Sequence, residues 1–258
     1  MYHSRIPDKY RLGKTYISIT SPQNTINLIV EAVKKGISTH ICVCDFRSVC
    51  YASIHTDYNE VLETSYMNLP DGMPLIWLAR LWGIKNAHHT KGPELFVNML
   101  KNPNNGLKHF LLGDTDEVLA KIKSEYIANH NSLIVGTFSP PFINVKEYDY
   151  HSIAKIINNS GADIVWVSMT APKQDYFSAN IEPLLARKVL IGVGAAFRYS
   201  LGLYNIPNGV FQKLGLTGFF MRKASWWQMK WYIIHIFKLL VFSLQVIGRR
   251  IIGKKYYE

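Results

Sequence analysis

Acidic side chains are scarce in this chain of 258 residues: 18 Asp and Glu stand against 29 Lys and Arg, a formal net charge of +11. The imbalance points to an anionic partner, whether nucleic acid, a phosphate-bearing substrate or an anionic membrane surface. The plain alternative is a basic protein without such a partner. Charge of either sign is sparse, at 18 % of residues against the ~25 % of an average soluble chain. Cysteine is limited to Cys42, Cys44 and Cys50, odd in number and clustered. With no second Cys/His pair at zinc spacing, they read as buried reduced thiols of a cytosolic protein. The opening MYHSRIPDKYRLGK has no apolar core of a secretory signal. There is no Asp-x-Asp pair, serine elbow, P-loop or GxGxxG fingerprint, and no internal repeat. His88 and His89 are adjacent and cannot both face one site from a helix, so no metal is expected.

What is present is apolar. Hydrophobic residues make up 48 %, enough for one large α/β domain or a domain with an appendage. Short β-like runs alternate with helical stretches. Tyr16–Thr20 reads as a first strand. Ser21 and Pro22 then supply a cap and a first-turn proline, and a helix runs to Gly36. Strands are expected at His40–Cys44, Tyr66–Leu69, His109–Leu112, Leu133–Val135, Ile164–Ser168 and Val189–Val193. Helices are expected at Leu75–Leu81, Glu94–Leu100, Glu117–Asn129 and Ile153–Asn158, and after Thr170–Gln174. This alternation predicts a mostly parallel sheet covered on both faces. Ligands of such sheets bind at the carboxyl ends of the strands. Asp45, Asp71, Asp114, Lys173, Gln174 and the run Gly194–Arg198 fall there.

The last forty or so residues differ in character. The run 231–247 is shorter than the ~20 apolar residues of a membrane span and carries His235, Lys238 and Gln245. On a helix, Lys223, Lys230, Lys238, Gln245 and Arg249 share an arc of roughly 100°, and most of the remainder is aromatic or aliphatic. That pattern suits a helix lying in a membrane interface; a core helix or an oligomer contact is the alternative. The chain is accordingly divided into a catalytic domain, 1–216, and a basic amphipathic appendage, 217–258. No basic run is interleaved with stacking aromatics in the manner of a single-strand binder, so nucleic acid is not expected.

Three places carry candidate chemistry. Gly192-x-Gly194 with Ala195 follows a strand and lets a ligand approach the backbone, and a helix starting there would offer N–H groups to phosphate; close helix–strand packing selects the same residues. Lys173 and Gln174 offer donors after Pro172, or mark a solvent-exposed helix start. Asp71, in Leu69-Pro70-Asp71-Gly72, is placed either to cap a helix or to act as a general base. Asp45 is placed to contact a sugar hydroxyl or to cap a turn.

Taken in order, LPDGMPLIW (69–77), KGPEL (91–95), HFLLGD (109–114), DIVWVSMTAPKQD (163–175), VLIGVGAAF (189–197) and QKLGL (212–216) resemble the WecG/TagA/CpsF glycosyltransferases over about residues 15–216. The resemblance implies a Rossmann-like α/β fold of the GT-E type and an inverting, metal-independent transfer. The sugar would pass from a UDP-sugar to a polyprenyl-diphosphate-linked sugar in bacterial surface polysaccharide synthesis. It implies Asp71 as the base that deprotonates the acceptor hydroxyl. Asp45, Gly113, Asp114, Lys173, Gln174, Gly192, Gly194, Ala195 and Arg198 are implied around the donor. A C-terminal appendage would meet the anionic inner face of the cytoplasmic membrane, with Arg222, Lys223, Arg249 and Arg250 available to a diphosphate. Departures from the family pattern are Asp45 for its Asn, Asp175 for its Glu, Arg198 for its Asp and Asn205-Ile206-Pro207 for its Arg-Ala-Pro. Specificity is expected to differ at Asp175 and Arg198. The competing reading is a nucleotide-sugar- or lipid-binding protein of the same fold with altered chemistry. A homo-oligomer is left open.

Overall fold

A computed structural model describes residues 7–102 and 106–204, together with positions 234, 237, 238, 241 and 244. Six strands form one parallel sheet: β3 (Thr39–Cys44), β4 (Met67–Pro70), β5 (His109–Gly113), β6 (Ile134–Phe138), β7 (Ile164–Ser168) and β8 (Val189–Gly192). Their order across the sheet is β4-β3-β8-β7-β5-β6. The sheet is parallel, as expected, because β3, β7 and β8 are buried along their whole length and read as near-continuous apolar runs.

Alternate residues feed two layers. Ile41, Val43, Trp166 and Ile191 pack on one face with α1 (Pro22–Lys34), α5 (Gly92–Lys101), α6 (Asp116–His130) and α9 (Ala196–Ser200). Cys42 and Cys44 point to the opposite face, as free thiols, against α2 (Phe46–Ile54), α3 (Thr56–Thr64) and α4 (Met73–Leu81). Further along that face, Val165, Val167 and Leu190 meet α7 (Tyr150–Asn159) and α8 (Lys173–Ile181). The α1 start follows the capping rule: the Ser21 side chain accepts from the Asn24 N–H, with Pro22 at the first helical position.

The first strand departs from expectation. β2 (Thr15–Ser18) is not in the parallel sheet; it forms an antiparallel hairpin with β1 (Lys9–Leu12), closing at Gly13-Lys14. The hairpin lies beside β4, where the Asn68 N–H donates to Ser18 Oγ and Asn68 Nδ2 donates to the Tyr16 carbonyl. A polar side chain within β4 therefore stands in for a strand partner and covers that sheet edge.

One close approach fixes the sheet's carboxyl end. Gly113 ends β5 at φ +114, and a Cβ there would stand 2.3 Å from the Ser168 carbonyl oxygen of β7. Backbone on both sides leaves nothing free to yield. We predict that Gly113→Ala destabilises the fold by about 3 kcal/mol or more. Urea unfolding against the parent protein measures this, and a loss below about 1 kcal/mol would contradict it.

Candidate active site

The strands deliver their last residues to one edge. Asp45 follows β3, Asp71 follows β4, Asp114 follows β5, and Gly194 lies just beyond β8. β5 leads through α6 outward to β6, whereas β7 leads through α8 the other way to β8. Neighbouring strands with oppositely directed connections open a crevice between their carboxyl ends. Gly113, Asp114 and Gln174 flank it.

Asp71 is not a helix cap. Gly72, at φ +130, occupies the cap position of α4 without a side-chain bond. The Asp71 N–H donates to the Cys44 carbonyl at 2.7 Å, which fixes its backbone. Its Oδ1 accepts from His89 Nε2 at 3.1 Å, and the carboxylate stays 36 % exposed. His89 is held over it by neighbours on either side: the His88 N–H donates to the Thr20 carbonyl and the Thr90 N–H to the Pro70 carbonyl. The Tyr199 hydroxyl of α9 is also near, its pKa raised by burial and then by the Asp71 charge. The sequence marks neither His89 nor Tyr199: the adjacent His88-His89 reads only against a metal site, and Tyr199 has no local signal.

Gln174 and the glycine turn form one unit. Gln174 is 2 % exposed, not at a solvent-facing helix start. Its Oε1 accepts the Gly194 N–H at 2.8 Å. A Cβ on Gly192 would meet Gln174 Nε2 at 3.0 Å, so glycine there makes room for the amide. The Gly194 carbonyl accepts from Ser168 Oγ at 2.6 Å. Gln174 therefore shapes the turn, and the Gly194 N–H is committed to it. Ala195 is exposed at the cap of α9, a helix of only 5 residues. Lys173 turns elsewhere: its Nζ donates to the Ile143 carbonyl and sits 4.7 Å from the Phe142 ring centre and 5.1 Å from that of Tyr148. It braces the loop after β6.

Arg198 and Asp114, both placed near the donor by sequence, hold each other. Arg198 Nε donates to Asp114 Oδ2 at 2.9 Å and Nη2 donates to Oδ1 at 2.8 Å. The fork buries the Asp114 side chain to 7 % exposure and leaves Arg198 at 40 %. The hydrogen bond and charge of Asp114 raise the Arg198 pKa further. Asp45 caps α2, accepting from the Ser48 N–H at 2.9 Å. Its other oxygen accepts from Arg47 Nε. Of its two readings, the structure displays the capping one.

Asp175 does not line the crevice. It is 1 % exposed and accepts from the Tyr58 hydroxyl at 2.7 Å, behind Gly192. The expectation that it tunes specificity alongside Arg198 meets a physical obstacle, because substrate has no route to a carboxyl buried among Tyr58, Cys42 and Gln174. Arg222, Lys223, Arg249, Arg250, Asn205-Ile206-Pro207 and the domain boundary at 216 lie outside the described residues. Among the described residues, no three His, Cys, Asp or Glu side chains are grouped as metal ligands, and no helix is long and apolar enough to cross a membrane.

A parallel sheet covered on both faces, with its polar residues gathered along the carboxyl edge, is a Rossmann-like arrangement built to hold a ligand there. The family model described as "Glycosyl transferase WecG/TagA/CpsF family" matches residues 10–255, and the chain belongs to that family of glycosyltransferases. One relative, from Bacillus subtilis (strain 168), is the N-acetylglucosaminyldiphosphoundecaprenol N-acetyl-beta-D-mannosaminyltransferase. It is 26 % identical over 184 residues, 70 % of each chain. The protein of the same name from Staphylococcus aureus (strain MRSA252) is 25 % identical over 179 residues, 69 % of each chain.

Burial generates a prediction about Asp175. Its pKa is raised from 3.8 to about 6, with desolvation the largest cause and the Tyr58 hydrogen bond opposing it. The unfolded chain releases this proton near ~3.9, so between the two values the folded state binds more protons. The contribution to stability is therefore fully present below about pH 4 and is lost as pH rises through about 6. Asp175→Asn keeps an acceptor for Tyr58 and removes the titration. We expect it to raise stability at pH 7 by up to ~3 kcal/mol and to flatten the fall between pH 4 and 6. Urea midpoints at pH 4.5 and 7 check this; a variant weaker than the parent at pH 7 would refute it.

Proposed function

We propose that the chain transfers a sugar from a UDP-sugar to a polyprenyl-diphosphate-linked sugar, with inversion and with Asp71 as general base. The observation that carries this is the condition of the Asp71 carboxylate. It stands at the carboxyl edge, is partly exposed and caps no helix. Asp45 is spent on its cap and Arg47, and Asp114 is buried under Arg198. In the proposed step the acceptor hydroxyl oxygen attacks the anomeric carbon. Its proton passes to Asp71, and the bond from the anomeric carbon to the diphosphate breaks, its electron pair leaving with UDP. The names of the relatives make UDP-N-acetylmannosamine the first donor to try and an N-acetylglucosaminyl diphospholipid the first acceptor.

In this reading no metal neutralises the leaving diphosphate; cationic side chains and backbone N–H groups do so. Arg222, Lys223, Arg249 and Arg250 of the appendage 217–258 are the proposed cations, and the cytoplasmic face of an anionic membrane is the proposed place of action. Ile234, Phe237, Val241 and Leu244 support the membrane part. They are helical, lie on one face by their spacing, and are 52, 66, 38 and 68 % exposed. Lys238, beside that stripe, is half-buried, and its charge is felt by the Cys50 thiol of α2. A stripe of this kind suits the headgroup boundary.

Asp71→Asn is expected to bind UDP-sugar like the parent and to lose ~100-fold or more in kcat. UDP release with a lipid-linked acceptor and a panel of UDP-sugars measures it, and near-normal turnover would remove Asp71 from the chemistry. Excess chelator is expected to leave the parent rate within about twofold. Replacing Ile234, Phe237, Val241 and Leu244 together by Ser is expected to abolish flotation with anionic vesicles while kcat on a short-chain soluble acceptor persists. Unchanged flotation would end the membrane assignment of that helix.

A further inference from the structure

We propose that His89 is a positioning residue whose charge state gates the transfer. Neutral, it holds one oxygen of Asp71 and leaves the other to the acceptor hydroxyl; protonated, it locks the carboxylate in an ion pair and suppresses proton uptake. The inference rests on the reading of Asp71 as the base.

The geometry carries the first half. An ionised carboxylate only accepts, so at 3.1 Å His89 Nε2 bears the hydrogen and Asp71 Oδ1 takes it. Both partners are anchored by backbone bonds besides the bond between them. The Asp71 backbone is tied to Cys44, and the His89 segment is tied to Thr20 and Pro70 between the buried Ala87 and Thr90. With one oxygen occupied by a fixed donor, the carboxylate has a defined rotation, and 36 % of the side chain stays exposed. His89 is less exposed than Asp71, at 21 % against 36 %, so the carboxylate is the member of the pair that faces the acceptor.

The second half follows from charge. When Asp71 takes the acceptor proton it becomes neutral. Beside a neutral imidazole this removes no favourable charge pair, whereas beside an imidazolium it destroys one, so the cation opposes the step. Among the described residues, few other charged or titratable groups surround the pair. Tyr199 approaches from α9, and Asp45 shares with Asp71 the surroundings of Cys44 at the end of β3. Lys91 at the cap of α5 and Glu94 in its first turn pair with each other, and His88 is exposed. Imidazole is the side chain whose charge ordinarily changes between pH 5 and 8, which sets the range of the test. The acid formed on Asp71 can pass its proton to water, being partly exposed.

The test is kcat for UDP release against pH, from 5.5 to 8.5, with the best donor of the panel and a lipid-linked acceptor. The parent rate is expected to fall about tenfold between pH 8 and 5.5. His89→Gln keeps an N–H donor without titration. We expect it to be about threefold slower at pH 8 and flat to pH 5.5. His89→Ala loses the hold on Asp71 and is expected to be slower than His89→Gln at every pH, with KM little changed. His88→Gln should keep the parent profile. A flat parent profile, or a His89→Gln profile that still falls like the parent's, overturns the proposal. Near-UV circular dichroism verifies folding, and should His89→Ala not fold, the parent and His89→Gln profiles decide. An inactive Asp71→Asn with an unchanged His89→Gln profile rejects the gate alone; an active Asp71→Asn rejects the base and the gate with it.

Discussion

The hydrogen bond from the Gly194 N–H to Gln174 Oε1 is the constraint around which the site is arranged. It joins the start of α8 to the turn after β8. Gly192 makes room for the amide, and Ser168 Oγ holds the same turn from β7. With the turn fixed, the short α9 leaves it in one direction. Adjacent residues of α9 then reach opposite sides of the edge: Arg198 grips Asp114 beyond β5, and Tyr199 comes near Asp71 beyond β4. A buried amide accepting from a backbone N–H is costly to disrupt. The loss of this one bond would therefore be felt at both ends of the crevice.

The three strand-end aspartates show how one residue type is assigned different work by its surroundings. Asp45 is consumed by a helix start and a neighbouring guanidinium. Asp114 is covered by a bidentate arginine. Asp71 keeps an open face and has an imidazole for its partner. A permanently charged partner fixes a carboxylate as an ion pair at all working pH, whereas an imidazole leaves the pair adjustable. Much of the basic surplus falls outside the described residues; at the edge, Arg47 and Arg198 are paired with acid and Lys173 holds the Ile143 carbonyl.

The parallel sheet was legible because its strands are buried on both faces and its helices start at recognisable caps, as at Ser21-Pro22. The β1–β2 hairpin was not, since four-residue strands hold too few alternations to declare a partner. Helices α2 and α3 were missed for a similar reason. Each has 9 residues, and they meet at His55, so neither shows a sustained period. Of the site, the strand-end positions were legible because topology sends them to one edge. What each side chain touches was not. The Asp71–His89 pair spans 18 residues and the Arg198–Asp114 pair spans 84, so neither is a local motif. Asp175 looked like part of the donor segment because it neighbours Gln174, yet the helix turns it inward to Tyr58.

Among the described residues β8 is the last strand in sequence, yet it lies in the interior of the sheet, between β3 and β7. Its register with β3 joins Thr39 to Val189, so the sheet stays split until residues near 190 have been made. Contacts this distant in sequence form slowly and late. On the ribosome, β3 and β4 wait beside an open gap through most of synthesis, with the Asp71–His89 pair already translated but Tyr199 not yet made. A nascent chain thus carries Asp71 long before it carries the turn that completes the crevice, and prematurely terminated products would lack that turn.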